Sequence, residues 1–181
     1  MKRKLLNSEL GRISADEYAH SAGSGVAVVL DNIRSAHNVG SAFRTADAFK
    51  ADKVVLCGIC ATPPSAEIHK TALGAELSVP WESFSDTLEA IARLKAEGYS
   101  IVAVEQTEGS LNLQDFPEAA ADLKEKVAFI FGNEVEGVQQ SAVDMADYAL
   151  EIPQWGTKHS LNVSVSVGVV LWHYVCRRQK G

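Results

Sequence analysis

Short apolar runs alternate with amphipathic segments along most of this chain, and this alternation limits the folds open to it. The clearest run, residues 26–30, is continuously apolar, as in a parallel strand buried on both faces. Further strands are predicted at residues 53–56, 77–81, 99–104, 127–131 and 148–152. Strands separated by helical patterns predict an α/β fold with a mostly parallel sheet flanked by helices.

Helices are predicted between these strands. Residues 39–50 carry apolar side chains at helical spacing, and Asn38 stands where an N-cap is favoured. The same pattern predicts a helix over residues 86–97, closed by Gly98, and another over residues 137–145.

Two segments need more than periodicity to interpret. Residues 61–76 contain two prolines and a glycine, which predicts a long loop with at most one helical turn. Residues 160–178 alternate valine with small residues, a strand period, yet run about 19 residues without a turn signal. Length therefore favours a final helix, with Ser160 as its cap.

Length and composition fit one domain. The chain has 181 residues, 46% of them hydrophobic. We assign residues 25–181 to this domain and residues 1–24 to a helical lead-in. No apolar stretch approaches the roughly 18 residues needed to span a bilayer, and the first residues lack a signal-peptide core, so we expect a cytosolic protein.

Basic residues and cysteines each leave two interpretations open. A net charge of −6 argues against a surface covered in basic residues for nonspecific nucleic-acid binding. The terminal basic clusters are either ordinary solvated termini or a local RNA contact; they comprise Lys2, Arg3, Lys4, Arg12, Arg177, Arg178 and Lys180. Cys57 and Cys60 lack two further zinc ligands nearby, which favours buried structural thiols over a redox or metal role.

Unusual polar segments follow several predicted strands, where open α/β sheets bind ligands. In the first segment, Arg44 lies six residues after Asn38 on a predicted helix, away from its apolar face. Its guanidinium is placed either to bind a phosphate or to form a surface salt bridge.

The second segment, residues 132–137, has glycines bracketing two acids, which suits either a plain strand-to-helix turn or close backbone approach to a ligand. In the third, Ser160 and Asn162 precede small residues. They either cap the final helix or face a ligand or another subunit.

In order and spacing, these segments resemble the motifs of the SpoU, or TrmH, group of SPOUT methyltransferases. Asn-x-Gly-x-x-x-Arg-x-Ala is found at residues 38–46, Gly-x-Glu-x-x-Gly at residues 132–137, and an Ile-Pro loop followed by Ser-Leu-Asn-x-Ser at residues 152–164. The resemblance covers residues 25–178 and leaves no room for the extra RNA-binding domain of some members. It implies a C-terminal trefoil knot and a homodimer in which first-motif residues of one subunit meet the cofactor pocket of the other.

The resemblance further implies methyl transfer from S-adenosylmethionine to a ribose 2′-hydroxyl of structured RNA, either tRNA or rRNA. By motif position, Arg44 is the central catalytic residue and Asn38 supports it. The residues that orient the ribose, the cofactor or Arg44 are Glu134, Ser160 and Asn162. The cofactor pocket is implied to include Val104, Glu105, Gly132, Ile152 and Leu161. No metal is required, because the sulfonium methyl is already electrophilic.

Several alternatives stay open. Arg44 is either a general base or a phosphate anchor, and the anchor is favoured because a guanidinium does not normally lose its proton in proteins. Trp155 either stacks on a splayed base or packs at the base of its loop, while Lys158, beside His159, is placed to meet phosphate. A noncatalytic RNA-binding protein on the same scaffold, or an unrelated α/β protein that binds small molecules, would be the alternatives to an enzyme.

Overall fold

Seven strands form a parallel sheet in the computed structural model of this protein. The structure describes residues 2–179, except for the side chain of Asn7. The strands are β1 (Val26–Asp31), β2 (Lys53–Cys57), β3 (Trp81–Phe84), β4 (Tyr99–Val104), β5 (Leu111–Asn112), β6 (Lys126–Gly132) and β7 (Tyr148–Glu151). Their order across the sheet is β3-β2-β1-β6-β4-β7-β5, and each neighbouring pair is parallel. The predicted mostly parallel sheet is confirmed.

Helices cover both faces of this sheet. They are α1 (Ala15–His20), α2 (Ala36–Ala48), α3 (Ala66–Ala72), α4 (Ala75–Ser78), α5 (Thr87–Ala96), α6 (Gln140–Met145) and α7 (Val163–Arg178). The core under α2 and α7 includes Val28 and Leu30 of β1, whereas Ala27 and Val29 point into the core under α5 and α6. Burial on both faces explains why this strand is continuously apolar.

In two helices, the N-cap is a different residue from the predicted one. Ser35, not Asn38, caps α2, and its hydroxyl accepts a hydrogen bond from the Asn38 backbone N–H at 3.3 Å. Asn162, not Ser160, caps α7, with its Oδ1 accepting from the Ser164 N–H at 2.9 Å. Several polar residues near each start are good caps, and the chain path decides which one has the extended backbone that a cap requires.

The segment predicted as a long loop instead contains helices α3 and α4, and the strand predicted at residues 77–81 begins later, at Trp81. Tertiary packing accounts for α3, because Ile68 and Ala72 are buried under α2. A Cβ on Gly40 would lie 2.3 Å from the Ile68 carbonyl oxygen, so this glycine permits the close approach of α2 and α3.

Other predicted bounds also shift. The helix predicted from residue 137 begins at Gln140, since Gly137 takes a left-handed conformation, with φ of +70°, that ends the preceding turn. Among residues 2–24 of the lead-in, Asn7–Glu9 form a 3-10 turn, and only α1, six residues long, is α-helical. Its Tyr18 hydroxyl donates to the Ala51 carbonyl at 2.9 Å, which ties the lead-in to the rest of the molecule.

Both cysteines of the Cys-x-x-Cys pair are buried. The Cys60 thiol donates to the Leu30 carbonyl at 3.3 Å and accepts from the Ile33 N–H at 3.1 Å, while burial raises the pKa of Cys57 to about 12. These features fit structural thiols. Among residues 2–179, no helix is long and apolar enough to cross a membrane.

Candidate active site

A cavity of about 690 Å³ opens at the carboxyl ends of β4, β6 and β7, within the size range of small-molecule sites. Its walls come from the loops that follow these three strands. Residues predicted for the cofactor pocket all line it, namely Val104, Glu105, Gly132, Ile152 and Leu161. Ser160 and Glu134 line it as well. Parallel topology explains this convergence, because the carboxyl ends of neighbouring strands meet at one edge.

The loop after β6 forms a turn held by its own hydrogen bonds. Asn133, only 8% exposed, accepts from the Val135 and Glu136 backbone N–H groups at its Oδ1, both at 2.9 Å. Its carbonyl accepts from the Gly137 N–H at 3.0 Å. The turn leaves the Glu134 side chain exposed at the cavity wall.

Packing requires a glycine at position 132, and the left-handed φ of +70° favours one at position 137. A Cβ on Gly132 would lie 1.9 Å from the Gly137 carbonyl carbon and 2.0 Å from the Val138 nitrogen. A Cβ on Gly137 would lie 2.2 Å from Glu105 Oε2. The two ends of the loop therefore cross at a separation that leaves no space for a side chain.

Two carboxylates hold the loops of the site together. Glu105 Oε2 accepts from the Val138 N–H at 2.9 Å, so this predicted pocket residue anchors the loop after β6. Asp31, 1% exposed, accepts from the Thr87 hydroxyl at 2.6 Å and from the Gln139 N–H at 2.9 Å. Sequence reasoning assigned no role to Asp31; an acid ending a continuously apolar strand was the available signal.

Side chains from all three motifs join in one hydrogen-bonded chain. The Asn38 amide donates to Glu134 Oε1, and the Asn162 amide donates to Asn38 Oδ1 at 3.2 Å. Asn162 Oδ1 in turn accepts from the Ser164 hydroxyl at 2.7 Å. A carboxylate only accepts hydrogen bonds, so Glu134 determines the orientation of both amides along the chain.

Arg44 lies apart from this hydrogen-bonded chain of side chains and from the cavity. Six residues of helix place it roughly 9 Å along the axis from Asn38 and on another side of α2. Its exposed guanidinium donates no hydrogen bond to any residue from 2 to 179. It borders a second, apolar groove between α2 and α7, together with Thr45, Ala48, Phe49, Leu113, Val165, Gly168, Val169, Trp172 and His173.

The C-terminal basic residues serve the fold. Arg177 donates to Glu118 at 2.6 Å, and Arg178 donates to the Ser24 and Glu125 carbonyls at 3.1 and 2.7 Å. Lys180, the last member of this predicted cluster, lies outside the described residues. In the N-terminal cluster, Arg3 pairs with Glu9.

An open parallel sheet with a pocket at its carboxyl edge defines an α/β protein with a small-molecule site. Residues 25–172 match the model of the SpoU rRNA Methylase family. The chain belongs to this family, which confirms the resemblance drawn from the three motifs. Within the described part of the chain, no group of three or more His, Cys, Asp or Glu side chains is arranged to hold a metal ion.

Relatives and solved structures agree with this assignment. The chain is 32% identical to the 23S rRNA (guanosine-2′-O-)-methyltransferase RlmB of Neisseria meningitidis and 33% identical to that of Nitrosomonas europaea, over 80% of its own length. It spans only 55% and 54% of those proteins.

Among solved structures, the A. aeolicus TrmH/SpoU tRNA modifying enzyme matches with a TM-score of 0.77 and 26% identity, over 92% of this chain and 81% of that one. An AdoMet-bound rRNA methyltransferase from Sinorhizobium meliloti matches with a TM-score of 0.77 and 28% identity, over 88% of this chain and 58% of that one.

Proposed function

We propose that this protein transfers a methyl group from S-adenosylmethionine to a ribose 2′-hydroxyl of tRNA or rRNA, and that it does so in the cytoplasm, where those RNAs function. The names of its relatives support the reaction and the substrate class. The observation that carries the proposal is the hydrogen-bonded chain of Asn38, Glu134 and Asn162. It joins three sequence motifs beside a cavity of cofactor size.

The cavity fits the proposed cofactor. Its volume suits a small-molecule ligand, and Gly132 contributes backbone atoms alone to its wall. We assign Val104, Glu105, Gly132, Ile152 and Leu161 to holding it. When bound, S-adenosylmethionine supplies an electrophilic methyl group on sulfur.

The protein's own groups would position the hydroxyl and its proton. Glu134 Oε1 accepts from Asn38, while its Oε2 accepts no hydrogen bond from residues 2–179 and is free to receive one from the ribose. Ser160 lines the cavity, and Asn162 reaches Glu134 through Asn38, so both are placed to orient the ribose or the cofactor. Arg44 acts as a phosphate anchor, since a guanidinium stays protonated and forms strong paired bonds to phosphate oxygens.

The separation of Arg44 from the cavity supports a homodimer. Exposed apolar side chains line the groove beside Arg44, with Val165 50%, Val169 36% and Trp172 61% exposed. Such patches mark interaction surfaces. A second copy packed on this groove would bury it and bring Arg44 towards the partner's cavity.

We expect a molecular mass near twice 19.5 kDa in light scattering. Val169→Asp should shift the protein to monomer, because the substitution would bury an unpaired charge in the interface. Leu77→Asp, at a side chain 80% exposed on α4, is the matched control and should leave the dimer intact. A wild-type monomer at micromolar concentration would contradict the dimer.

The family's trefoil knot and domain boundaries are also part of the proposal. Support for the knot comes from the last elements: α6 packs with α5 on one face, β7 pairs with β4, and α7 packs with α2 on the other face. The chain after β7 thus crosses the sheet edge beside the loop after β6. We assign residues 25–181 to the catalytic domain and residues 1–24 to a lead-in.

The function is tested by incubating the protein with methyl-labelled cofactor and total RNA, then digesting the RNA to nucleosides. We expect the label in a 2′-O-methylnucleoside from one tRNA or rRNA. Calorimetry without RNA should show cofactor binding. Label on a base would contradict ribose methylation, and absence of cofactor binding would contradict methyl transfer altogether.

A further inference from the structure

The loop between β7 and α7 is held at the mouth of the cavity. Gln106 donates through its side-chain amide to the His159 carbonyl at 2.9 Å, which joins this loop to the one after β4. Gln154 and the segment 158–161 line the cavity. The intervening residues therefore span its rim.

Trp155 lies on this rim and is 89% exposed. Consecutive Cα atoms are about 3.8 Å apart, so its backbone is within one residue of the cavity wall at Gln154. The exposure argues against packing at the base of the loop, one of the two interpretations left open by the sequence. A side chain this large and apolar is normally buried against something.

The groove between α2 and α7 does not account for this exposure, because Trp155 is not among the residues that line it. The occupant that we favour is RNA, because the proposed ribose must meet the cofactor's methyl group at this cavity and its base lies beside it.

The surrounding residues suit a nucleotide. Lys158 and His159 are exposed in the same loop, and a lysine ammonium can bind backbone phosphate. The protein carries a net charge of −6, so RNA contact depends on such local cations. A flat indole beside them offers a stacking surface for an unpaired base.

We propose that Trp155 is a substrate-binding residue that stacks on the base of the target nucleotide or its immediate neighbour, while Lys158 contacts the adjoining phosphate. This inference rests on the proposed RNA methyl transfer. It assigns recognition of single-stranded or splayed-out RNA to a tryptophan at a position that the third motif does not specify.

The test compares Trp155→Ala and Trp155→Phe with the wild-type protein, using bulk tRNA and rRNA as substrates. Loss of one stacked base is expected to raise the KM for RNA about 10- to 100-fold, and phenylalanine should restore most of it. Cofactor affinity and dimer mass should not change. Trp81→Phe, on the outer strand β3, is the matched control and should keep the wild-type KM.

A second readout does not depend on catalysis. Trp155 is one of three tryptophans, so the fluorescence of the wild-type protein should be quenched as RNA is added; Trp155→Phe should remove most of that quenching and Trp81→Phe should keep it. Unchanged KM in Trp155→Ala together with no quenching overturns the inference, as does conversion of Trp155→Ala to a monomer. A wild-type protein that binds no cofactor would contradict the proposed function instead, and the quenching would still decide whether Trp155 meets RNA.

Discussion

Arg44→Ala is expected to lower the rate of RNA methylation by about 100- to 1000-fold while leaving cofactor affinity unchanged. Removing one preorganised donor to developing charge typically has an effect of this size. Cofactor binding should persist because Arg44 lies outside the cavity of its own chain. Single-turnover methylation measures the rate, and calorimetry measures the affinity.

Arg93→Ala is the matched control, since Arg93 is an exposed arginine on α5 that pairs with Glu97. It should retain wild-type activity. Arg44→Lys separates the two roles considered for this residue: a phosphate anchor keeps part of the activity with an unshifted pH profile, whereas a general base with a lower pKa would shift the profile to lower pH. Full activity in Arg44→Ala would exclude both roles.

Gly132→Ala should weaken cofactor binding by about 100-fold or more, and this is the largest effect expected from adding a single methyl group. The new Cβ would meet backbone atoms of Gly137 and Val138 at 1.9 and 2.0 Å, and backbone cannot rotate away as a side chain can. The loop after β6 must shift, and with it the cavity wall. Calorimetric titration with S-adenosylmethionine measures the loss.

Gly156→Ala is the control, because a Cβ at Gly156 meets no atom within 4 Å. It should bind the cofactor as the wild type does. A thermal melt separates loss of the site from loss of the fold, since overpacking of this kind typically costs about 1–3 kcal/mol. Wild-type affinity in a folded Gly132→Ala protein would show that the crossing of the loop does not shape the site.

The two variants together test the proposed dimer. Arg44→Ala retains an intact cavity, and Gly132→Ala retains Arg44. If Arg44 serves the partner's cavity, mixed dimers of the two inactive proteins should regain activity at sites that combine one intact cavity with the other subunit's Arg44. If each chain completed its own site, every site in the mixture would keep one defect and no activity would return.

Local patterns were sufficient to locate most of the sheet. The strands β1, β2, β4, β6 and β7 lie within one residue of their predicted bounds at each end. A strand buried on both faces must be apolar throughout, so its sequence is recognisable without its neighbours. The prediction of a long loop for the segment containing α3 and α4 was wrong for the opposite reason. The helices of this segment depend on burial under α2, which its own sequence does not show.

The N-caps of α2 and α7 show a second limit to what can be predicted from sequence. Ser35 and Asn38 are both good N-cap residues, as are Ser160 and Asn162. The selected residue in each pair is the one directly before the first helical residue, and the point where each helix starts depends on the packing of the whole helix. The consequence is functional, because Asn38 is left free to donate to Glu134.

By itself, the sequence determined the α/β class, the family and the residues placed at the carboxyl edge, because burial periodicity and motif spacing are local properties of the chain. Only the tertiary structure decided that Asn38, Glu134 and Asn162 share one hydrogen-bonded chain, that Arg44 borders a separate groove, and that Trp155 is exposed at the cavity rim. The hydrogen bond from Asn38 to Glu134 joins residues that are 96 positions apart in the sequence, and the one from Asn162 to Asn38 joins residues that are 124 positions apart. Such contacts depend on how strands and helices pack in space, and no local pattern records that arrangement.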